Sequence, residues 1–359
     1  GVEPICRVLS EHEVKIAPSG YYAFKKRPAS ARTIRDARLV IDTLRSAAAC
    51  GATVMNYARL VAAERAGDGW RVAVRDELAG GLREFEARTV VNAAGAWAEG
   101  LGPSRVRLRL TKGVHLVVRQ AELPVSHAVV LSEGRRILFA IPWGERVILG
   151  TTDTDYSGDP AAVRTEACDV EYVLGVVNEA FPRARLDPAD LVATWAGVRP
   201  LIASGREREG APSDISRSHR IRVAAPGWID VAGGKLTTYR LMAEQAVDRL
   251  GEFLRPRPPV SRTAEAPLEA AAAGLSGLLP PPLTREVVRR CCREEWAVHL
   301  DDVMLRRTSW HFYHPGQAEM AGRVAEWMAP ELGWDAARLR QEHERYGKAA
   351  EFATAGTPR

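Results

Sequence analysis

Apolar and polar positions along the first two thirds of the chain alternate between helical and strand-like spacing. Between Asp36 and Gly51 apolar residues recur at helical intervals, and these two residues are suited to begin and end a helix. Residues 52–66 then predict a strand, and residues 70–76 alternate as a half-buried strand does after the turn at 67–69. The pattern predicts a mixed α/β (α+β) fold for this part of the chain.

Further strand-like runs follow, separated by glycine, proline and one helical stretch. Residues 169–181 predict that helix, and residues 203–218 have the polar character of a loop. The run at 191–201 predicts a strand that gives way to a loop at Pro200, and helical spacing returns from Lys235 onward. The other predicted strands lie at 89–93, at several places within 105–153, and at 219–225 and 228–233, the last two pairing around Pro226 and Gly227.

The composition changes near residue 255. Residues 256–283 are rich in proline, alanine and glycine, as expected of a linker, and three helical patterns follow them. The sequence therefore predicts three parts: a mixed α/β domain over 1–255, a linker over 256–283 and a small all-α domain over 284–359.

The chain carries a net charge of +5, which comes mostly from scattered arginines. No run of five or more lysines and arginines occurs, so the ordinary interpretation is a solvated, arginine-rich surface. Such a surface is compatible with anionic substrates or an anionic membrane surface. No sequence motif supports nucleic-acid binding, and we expect none.

The cysteines and the apolar runs indicate the cellular compartment of the protein. Five cysteines, none at a zinc-ligand spacing, favour a reduced, cytoplasmic environment and no metal site. No unbroken apolar run reaches the ~18 residues of a membrane-spanning helix. The sequence therefore predicts a cytoplasmic protein without a transmembrane helix.

The stretch WIDVAGGKLTTYRLMAE, residues 228–244, carries the clearest candidate chemistry. An apolar strand stops at Gly233 and Gly234, and Lys235 then leads into a helix start with two threonines. Glycines permit close backbone approach, and amide groups at a helix start favour electron-rich atoms. An ordinary strand-to-helix turn with a capping threonine is the alternative.

Two side chains on predicted strands are further candidates. Arg199 lies between an apolar strand and a proline, where its fixed set of donors suits a carboxylate or a phosphate. His115, in TKGVHLVV, could move protons near neutral pH. Taken singly, a solvated arginine at a strand end and a structural histidine are the more ordinary interpretations.

Two further segments, at 89–95 and 148–160, are candidate binding sites. Small residues end the strand TVVNAAG at 89–95 and would let a flat group approach the backbone, although an ordinary buried strand has the same pattern. In ILGTTDTDYSGDP, Asp153, Asp155 and Asp159 could in principle bind a metal, but their spacing does not match an EF-hand loop. A polar turn is the favoured interpretation there.

Taken in order, these segments resemble the FAD-dependent (respiratory, aerobic) glycerol-3-phosphate dehydrogenases. GVRPL at 197–201 together with GGKLTTYR at 233–240 is fairly specific, whereas VNAAG is shared by many related flavoproteins. The resemblance implies a Rossmann-like FAD/NAD(P)-binding fold of the glycerol-3-phosphate dehydrogenase and D-amino-acid-oxidase type with a C-terminal helical domain. It also rests on RDARLV (35–40), RLTKGVHLVV (109–118), ILFAIPW (137–143), ILGTTDTDYSGDP (148–160) and REEWAVHLDDVMLRRT (293–308).

Two family features are missing from the sequence. The family's GxGxxG turn, which cradles the cofactor's pyrophosphate, does not occur in these 359 residues, nor does its HGGLRY segment. The chain thus resembles a family member without its N-terminal third, and we expect weak FAD binding unless the missing unit is supplied. A non-catalytic remnant is therefore one alternative function.

The resemblance implies FAD as cofactor and sn-glycerol 3-phosphate as substrate, in the context of glycerol metabolism. A hydride would pass from C2 of the substrate to flavin N5, giving dihydroxyacetone phosphate, and electrons would continue to a quinone or, in an oxidase, to oxygen. Arg199 would bind the substrate, Lys235 would orient its hydroxyl, and His115 is the weaker third catalytic candidate. The implied FAD-binding residues are Val91, Asn92, Ala93, Ala94, Gly95, Gly233, Gly234, Lys235, Leu236 and Thr237.

Partners and a second enzymatic alternative follow from the same resemblance. The family docks on the inner face of the bacterial plasma membrane, so peripheral membrane contact is expected, and a homodimer is a further expectation. A related FAD-dependent amino-acid or hydroxy-acid oxidase is the other alternative. The helical C-terminal segments and GGKLTTYR argue against it.

Overall fold

The computed structural model describes residues 35–133, 136–203, 218–269 and 279–354. The predicted helix at its start is α1 (Arg35–Ala49), which ends as expected before Gly51. The predicted hairpin is present as well, because β1 (Ala58–Ala66) pairs antiparallel with β2 (Gly69–Asp76). β3 (Leu82–Ala87) extends this first sheet on the far side of β2.

A six-stranded sheet forms the centre of the α/β part. Its strands lie in the order β10-β5-β8-β7-β6, and β9 also pairs with β5. One face carries an apolar core that is covered by helix α2 (Ala167–Ala180). Part of the other face is covered by aromatic side chains from the C-terminal helices. The strands are β5 (Leu108–Arg119), β6 (Val129–Glu133), β7 (Arg136–Trp143), β8 (Arg146–Gly150), β9 (Thr154–Tyr156) and β10 (Leu191–Ile202).

Strand β10 continues through Pro200, where the sequence predicts a loop. Pro200 faces Leu110 of β5 and the strand ends only at Ile202. The prediction was wrong because β10 is the outermost strand of its sheet, so the missing proline N–H points away from the ladder.

A third sheet brings distant segments together. β11 (Arg220–Ala225) and β12 (Trp228–Ala232) form the predicted pair, and β12 also runs parallel to β4 (Val90–Asn92). β4 is shorter than predicted, since the chain enters a 3₁₀ turn at Gly95–Trp97. The two strands of the parallel pair therefore end at the same edge of the sheet.

The helix predicted from Lys235 begins later than expected. A 3₁₀ turn at Leu236–Thr238 comes first, and helix α3 (Tyr239–Leu250) follows it. The tighter turn closes through the Lys235 carbonyl, which accepts hydrogen bonds from both the amide and the hydroxyl of Thr238. Gly233 and Gly234 precede it at positive φ values of 69° and 82°.

The C-terminal segment is helical, as predicted. A shared apolar core joins its elements, which are α4 (Arg285–Glu294), a π-helical turn (Asp302–Arg307), α5 (Trp310–Tyr313), α6 (Gln317–Leu332) and α7 (Ala336–Thr354). We call residues 285–354 the helical region. The division into domains at 255 and 283 stays a prediction.

Some sequence-based expectations fall outside the described residues. These include everything before residue 35, most of the predicted loop at 203–218 and part of the predicted linker at 256–283. Within the described ranges, no helix combines the length and the apolar character needed to cross a bilayer.

Candidate functional site

The parallel pairing of β4 and β12 gathers most of the predicted cofactor-binding residues at one edge. Asn92 lies opposite Asp230, so Ala93 to Gly95 and Gly233 to Lys235 leave the sheet side by side. Val91, Ala93 and Gly95 are exposed, and so are Lys235, Leu236 and Thr237. Six of the ten sequence-predicted residues are thus exposed here, and we call the segments 91–95 and 233–237 together the exposed edge.

Asn92 itself points into the protein. Its side-chain amide donates to the Ala98 carbonyl and to Oδ1 of Asp230, each at 3.0 Å. Asp230 also accepts from the Trp228 indole and from the Arg105 amide, both at 3.0 Å. The Asn92 side chain therefore fixes the β4–β12 edge, and only its backbone lies at that edge.

Asp230 was missed by sequence reasoning. It is 1% exposed in a strand whose other residues are apolar, and it bonds to groups on β4 and in the loop before β5. An acidic residue inside the apolar run WIDVA was the available signal, because a buried carboxylate needs several donors.

The two glycines are required by packing. A Cβ on Gly233 would lie 2.8 Å from the Ser218 carbonyl oxygen and 2.9 Å from Cδ1 of Ile202. A Cβ on Gly234 would lie 2.7 Å from Sδ of Met242. The turn is thereby pressed against the end of β10, three residues beyond Arg199.

Arg199 is held in a cradle formed by the turn after β8. Its guanidinium donates to Thr151 Oγ1 at 2.9 Å, to the Thr152 carbonyl at 3.1 Å and to Asp153 Oδ1 at 3.3 Å. Gly113 of β5 provides the floor, because a Cβ there would lie 2.6 Å from Cζ of Arg199. The predicted polar turn at 151–153 thus orients the predicted arginine.

His115 lies one strand away from Arg199. Its ring stacks on the Trp195 indole with centroids 5.1 Å apart, and a Cβ on Gly150 would lie 2.7 Å from its Cδ2. Burial, together with the positive charge of Arg199, lowers the pKa of His115 to about 4. Nδ1 is buried without a hydrogen-bond partner among the described residues. The ring is therefore neutral at physiological pH and is oriented by packing.

Lys112 and Lys235 differ in their surroundings. Lys112 is buried between Asp169 at 2.7 Å and Glu166 at 2.5 Å, and these bonds raise its pKa although burial opposes the shift. Lys112 therefore ties β5 to the start of α2. The exposed Lys235 side chain makes no hydrogen bond or ion pair with any of the described residues. It is therefore not bonded to Arg199 or to His115.

The three aspartates after β8 have separate tasks. Asp153 pairs with Arg199, and Asp155 forms a two-bonded ion pair with Arg109 at 2.6 and 2.7 Å. Asp159 caps the short turn at 160–162 by accepting from the Ala161 amide. This arrangement agrees with the polar-turn interpretation.

The exposed edge fits a large flat cofactor. Two glycines at positive φ end β12, small residues follow β4, and the space beside Gly95 is open. The exposed residues 235–237 come directly before α3, and the amide groups at a helix start favour electron density. The chemistry of this edge therefore suits a flavin.

Comparison with known proteins agrees with this geometry. A family model described as FAD dependent oxidoreductase matches residues 6–248. A second, the C-terminal domain of alpha-glycerophosphate oxidase, matches residues 267–339. The glycerol-3-phosphate dehydrogenase 2 of Mycobacterium tuberculosis (strain ATCC 25618 / H37Rv) is 32% identical over 366 residues, covering 87% of this chain and 62% of its own length.

Two more relatives extend the comparison. The aerobic glycerol-3-phosphate dehydrogenase of Staphylococcus aureus (strain USA300) is 36% identical over 229 residues, covering 61% of this chain and 41% of its own. The X-ray structure of the Bacillus halodurans glycerol-3-phosphate dehydrogenase complexed with FAD superimposes with a TM-score of 0.74 at 26% identity, covering 90% of this chain and 74% of that one. The chain spans about three fifths of the length of the mycobacterial relatives. On the match over residues 6–248, the chain belongs to the FAD-dependent oxidoreductase family.

Proposed function

We propose that the chain takes part in the FAD-dependent oxidation of sn-glycerol 3-phosphate to dihydroxyacetone phosphate. The observation that carries this proposal is the pairing of an oriented guanidinium, Arg199, with a neutral imidazole, His115, on adjacent strands. The names of the relatives and the FAD-bound structural neighbour support the substrate and the cofactor.

Arg199 is the proposed anchor for the substrate. A guanidinium in a fixed orientation matches the oxygens of a phosphate or of the glycerol moiety. The Thr151 hydroxyl, the Thr152 carbonyl and one carboxylate hold it, and its side chain is 30% exposed, so its charge acts at the surface of the site. Binding of an anion there would be strengthened by the low dielectric of the adjoining core.

His115 is the proposed proton acceptor for the C2 hydroxyl. A neutral imidazole has one nitrogen that can accept a proton. In the free protein its pKa of about 4 makes it a weak base, because it is buried and lies near Arg199. An anionic substrate on Arg199 would offset that positive charge and raise the pKa of His115 toward a useful range. Lys235 would orient the same hydroxyl.

FAD, when bound, supplies the acceptor for the C2 hydride. The residues that would hold it are the exposed edge: Val91, Asn92, Ala93, Ala94 and Gly95 after β4, and Gly233, Gly234, Lys235, Leu236 and Thr237 after β12. The glycines let the backbone come close to the ring, and the amides before α3 stabilise negative charge gathering on it.

A quinone is the proposed final electron acceptor. We also propose a cytoplasmic location with peripheral contact on the inner face of the plasma membrane, and self-association as a dimer. The support is the resemblance to aerobic glycerol-3-phosphate dehydrogenases and the basic balance of the chain, with a net charge of +5.

Anaerobic flavin reduction tests the proposal. The purified chain is incubated with FAD, freed of unbound cofactor, and titrated with sn-glycerol 3-phosphate while the visible absorbance of the flavin is followed. Loss of that absorbance with this substrate, but not with its sn-1 enantiomer, is expected.

The other outcomes discriminate between the alternatives. Reduction by glycine, D-alanine or lactate instead would indicate an amino-acid or hydroxy-acid oxidase. A chain that retains no FAD at all would favour the non-catalytic alternative.

A further inference from the structure

A short helix of the helical region reaches the face of the six-stranded sheet. In α5, Trp310 is fully buried in the helical core and its indole donates to the Pro281 carbonyl at 2.7 Å. The His311 ring nitrogen Nδ1 lies 2.8 Å from the Tyr346 hydroxyl. The next two side chains, Phe312 and Tyr313, instead pack on the sheet. Four consecutive residues thus join the two parts of the molecule.

The six-stranded sheet and the turn before β8 bind the C-terminal end of α5 through hydrogen bonds to Tyr313. The Arg146 guanidinium donates to the Tyr313 carbonyl at 2.7 Å, and the Glu145 amide donates to the Tyr313 hydroxyl at 3.1 Å. Phe312 therefore lies between anchored residues on both sides. Its ring position is determined by both parts of the molecule.

Phe312 contacts the indole on which His115 stacks. The rings of Phe312 and Trp195 meet edge to face at 5.4 Å, and Trp195 stacks on His115 at 5.1 Å with an interplanar angle of 18°. Trp195 and His115 are direct partners on adjacent strands. The three rings form one continuous series of contacts from the helical region to the candidate site.

Packing is what fixes the His115 ring in the described structure. Its neighbours are the Trp195 face and the Gly150 backbone on β8, and Nδ1 has no partner among the described residues. Of the charged groups, Arg199 acts on it from β10, and Asp153 holds Arg199. From the helical region the nearest titratable ring in this series is His311, which meets Phe312 at 5.2 Å. A shift of Trp195 would therefore reach His115 directly.

We propose that Phe312 is a positioning residue for His115 and acts through Trp195. The helical region thereby contributes to the geometry of a site whose candidate catalytic residues all come from the α/β part. This inference rests on the proposed role of His115, but the contact itself is tested without substrate or flavin.

The test is a histidine titration of the full chain by NMR, with the His115 signal assigned by its loss in His115→Asn. Phe312→Leu removes the ring, frees Trp195 and admits water beside His115. We expect the His115 midpoint to rise by about one pH unit, because less burial weakens the penalty on the charged form. The matched control is Tyr313→Leu, which truncates the neighbouring aromatic in contact with Trp143 and Arg146 rather than Trp195. The Tyr313 carbonyl that accepts from Arg146 is retained in this variant, so Phe312 stays anchored and the midpoint should be unchanged.

The outcomes separate the inference from its alternatives. An unchanged midpoint in Phe312→Leu, or an equal rise in Tyr313→Leu, overturns it. Phe312→Met, which keeps more of the apolar volume, serves if the leucine variant does not fold, and failure of both to fold identifies Phe312 as a core residue and also overturns the proposal. If the chain proves to oxidise no glycerol phosphate, the titration still decides the contact. If it does, flavin reduction by substrate should slow about tenfold in Phe312→Leu with little change in substrate affinity.

Discussion

In the helical region several buried charges contact one another, whereas the core beside α2 in the six-stranded sheet is mainly apolar and has the buried Lys112–Asp169 pair at its edge. Glu295 is fully buried and lies 2.6 Å from Arg38 of α1 and 3.3 Å from Arg290. The network also includes buried Asp301, Asp302, Arg307, His299 and Glu342, and the partly exposed Arg306, Arg338 and Arg345 pair with its carboxylates from the surface.

The arginine of the candidate site has a different environment. Arg199 is 30% exposed, and among the described residues its hydrogen-bond acceptors are the Thr151 hydroxyl, the Thr152 carbonyl and the Asp153 carboxylate. Its guanidinium is therefore oriented by one turn of the chain, whereas the charges of the helical region join separate segments such as α1 and α4. We propose a structural role for the network and substrate binding for Arg199.

The largest expected effect tests the structural half of this comparison. Glu295→Gln leaves Arg38 and Arg290 without their shared carboxylate, and removal of one partner from a buried ion pair costs about 3–5 kcal/mol. The free energy of unfolding from urea denaturation measures it.

The control for this variant is Glu286→Gln, at an exposed position of helix α4, which ends just before Glu295; the partner of Glu286 is Arg289. An equal loss of unfolding free energy in both variants would show that a buried ion pair here stabilises the protein no more than an exposed one. The His115 titration should stay as in the parent protein, because Glu295 makes no contact with the sheet site in the described structure.

The next effect tests the functional half. Gly113→Ala places a methyl group against the guanidinium of Arg199 and moves it without changing any charge. Displacing a substrate anchor by about 1 Å costs on the order of 100-fold in kcat/KM. Steady-state oxidation of sn-glycerol 3-phosphate measures it, and the free energy of unfolding should change little.

Gly197→Ala is the matched control, since Gly197 faces Gly113 across the β5–β10 pair and the space beside it is open. If both alanine variants lose activity equally, the cradle around Arg199 is not the cause. If neither does, Arg199 is not the substrate anchor.

A smaller effect concerns the one feature that both regions share, a buried neutral histidine. Burial lowers the pKa of His311 to about 4, as burial and Arg199 do for His115. Between pH 6.5 and 4 the unfolded chain therefore binds more protons than the folded one. The contribution of these rings to the free energy of unfolding is fully present above about pH 6.5 and is lost as the pH falls. Each ring should lower the free energy of unfolding by about 2 kcal/mol at pH 5 relative to pH 7.

Urea denaturation at both pH values measures this loss. His311→Gln should remove about half of the combined histidine contribution, and His127→Gln, at an exposed position, should remove none. A pH dependence that is the same in all three proteins would mean that neither buried ring opposes protonation.

Local pattern predicted most of the strands, the two hairpins and the glycine turn, because each depends on neighbouring residues, but it did not predict β3 or β9. The Asn92–Asp230 bond and the cradle of Arg199 could not be predicted, since strand register joins residues 138 and 47 positions apart. Phe312 carried no signal at all. Its contact depends on how the helical region packs on the sheet.

The smallest expected effect concerns the ion pair of Arg109 and Asp155, which belongs neither to the network of the helical region nor to the contacts that hold Arg199. Arg109 and Asp155 form two short hydrogen bonds, yet the Asp155 side chain is 57% exposed. Water and salt screen such a pair, so Asp155→Asn should leave the urea midpoint within error of the parent protein. Asp153→Asn, two residues earlier, removes a similar charge but loosens Arg199, so it should lower kcat/KM while also leaving the midpoint nearly unchanged. A loss of activity in Asp155→Asn as large as in Asp153→Asn would mean that the net charge of this turn, rather than the orientation of Arg199, sets the strength of substrate binding.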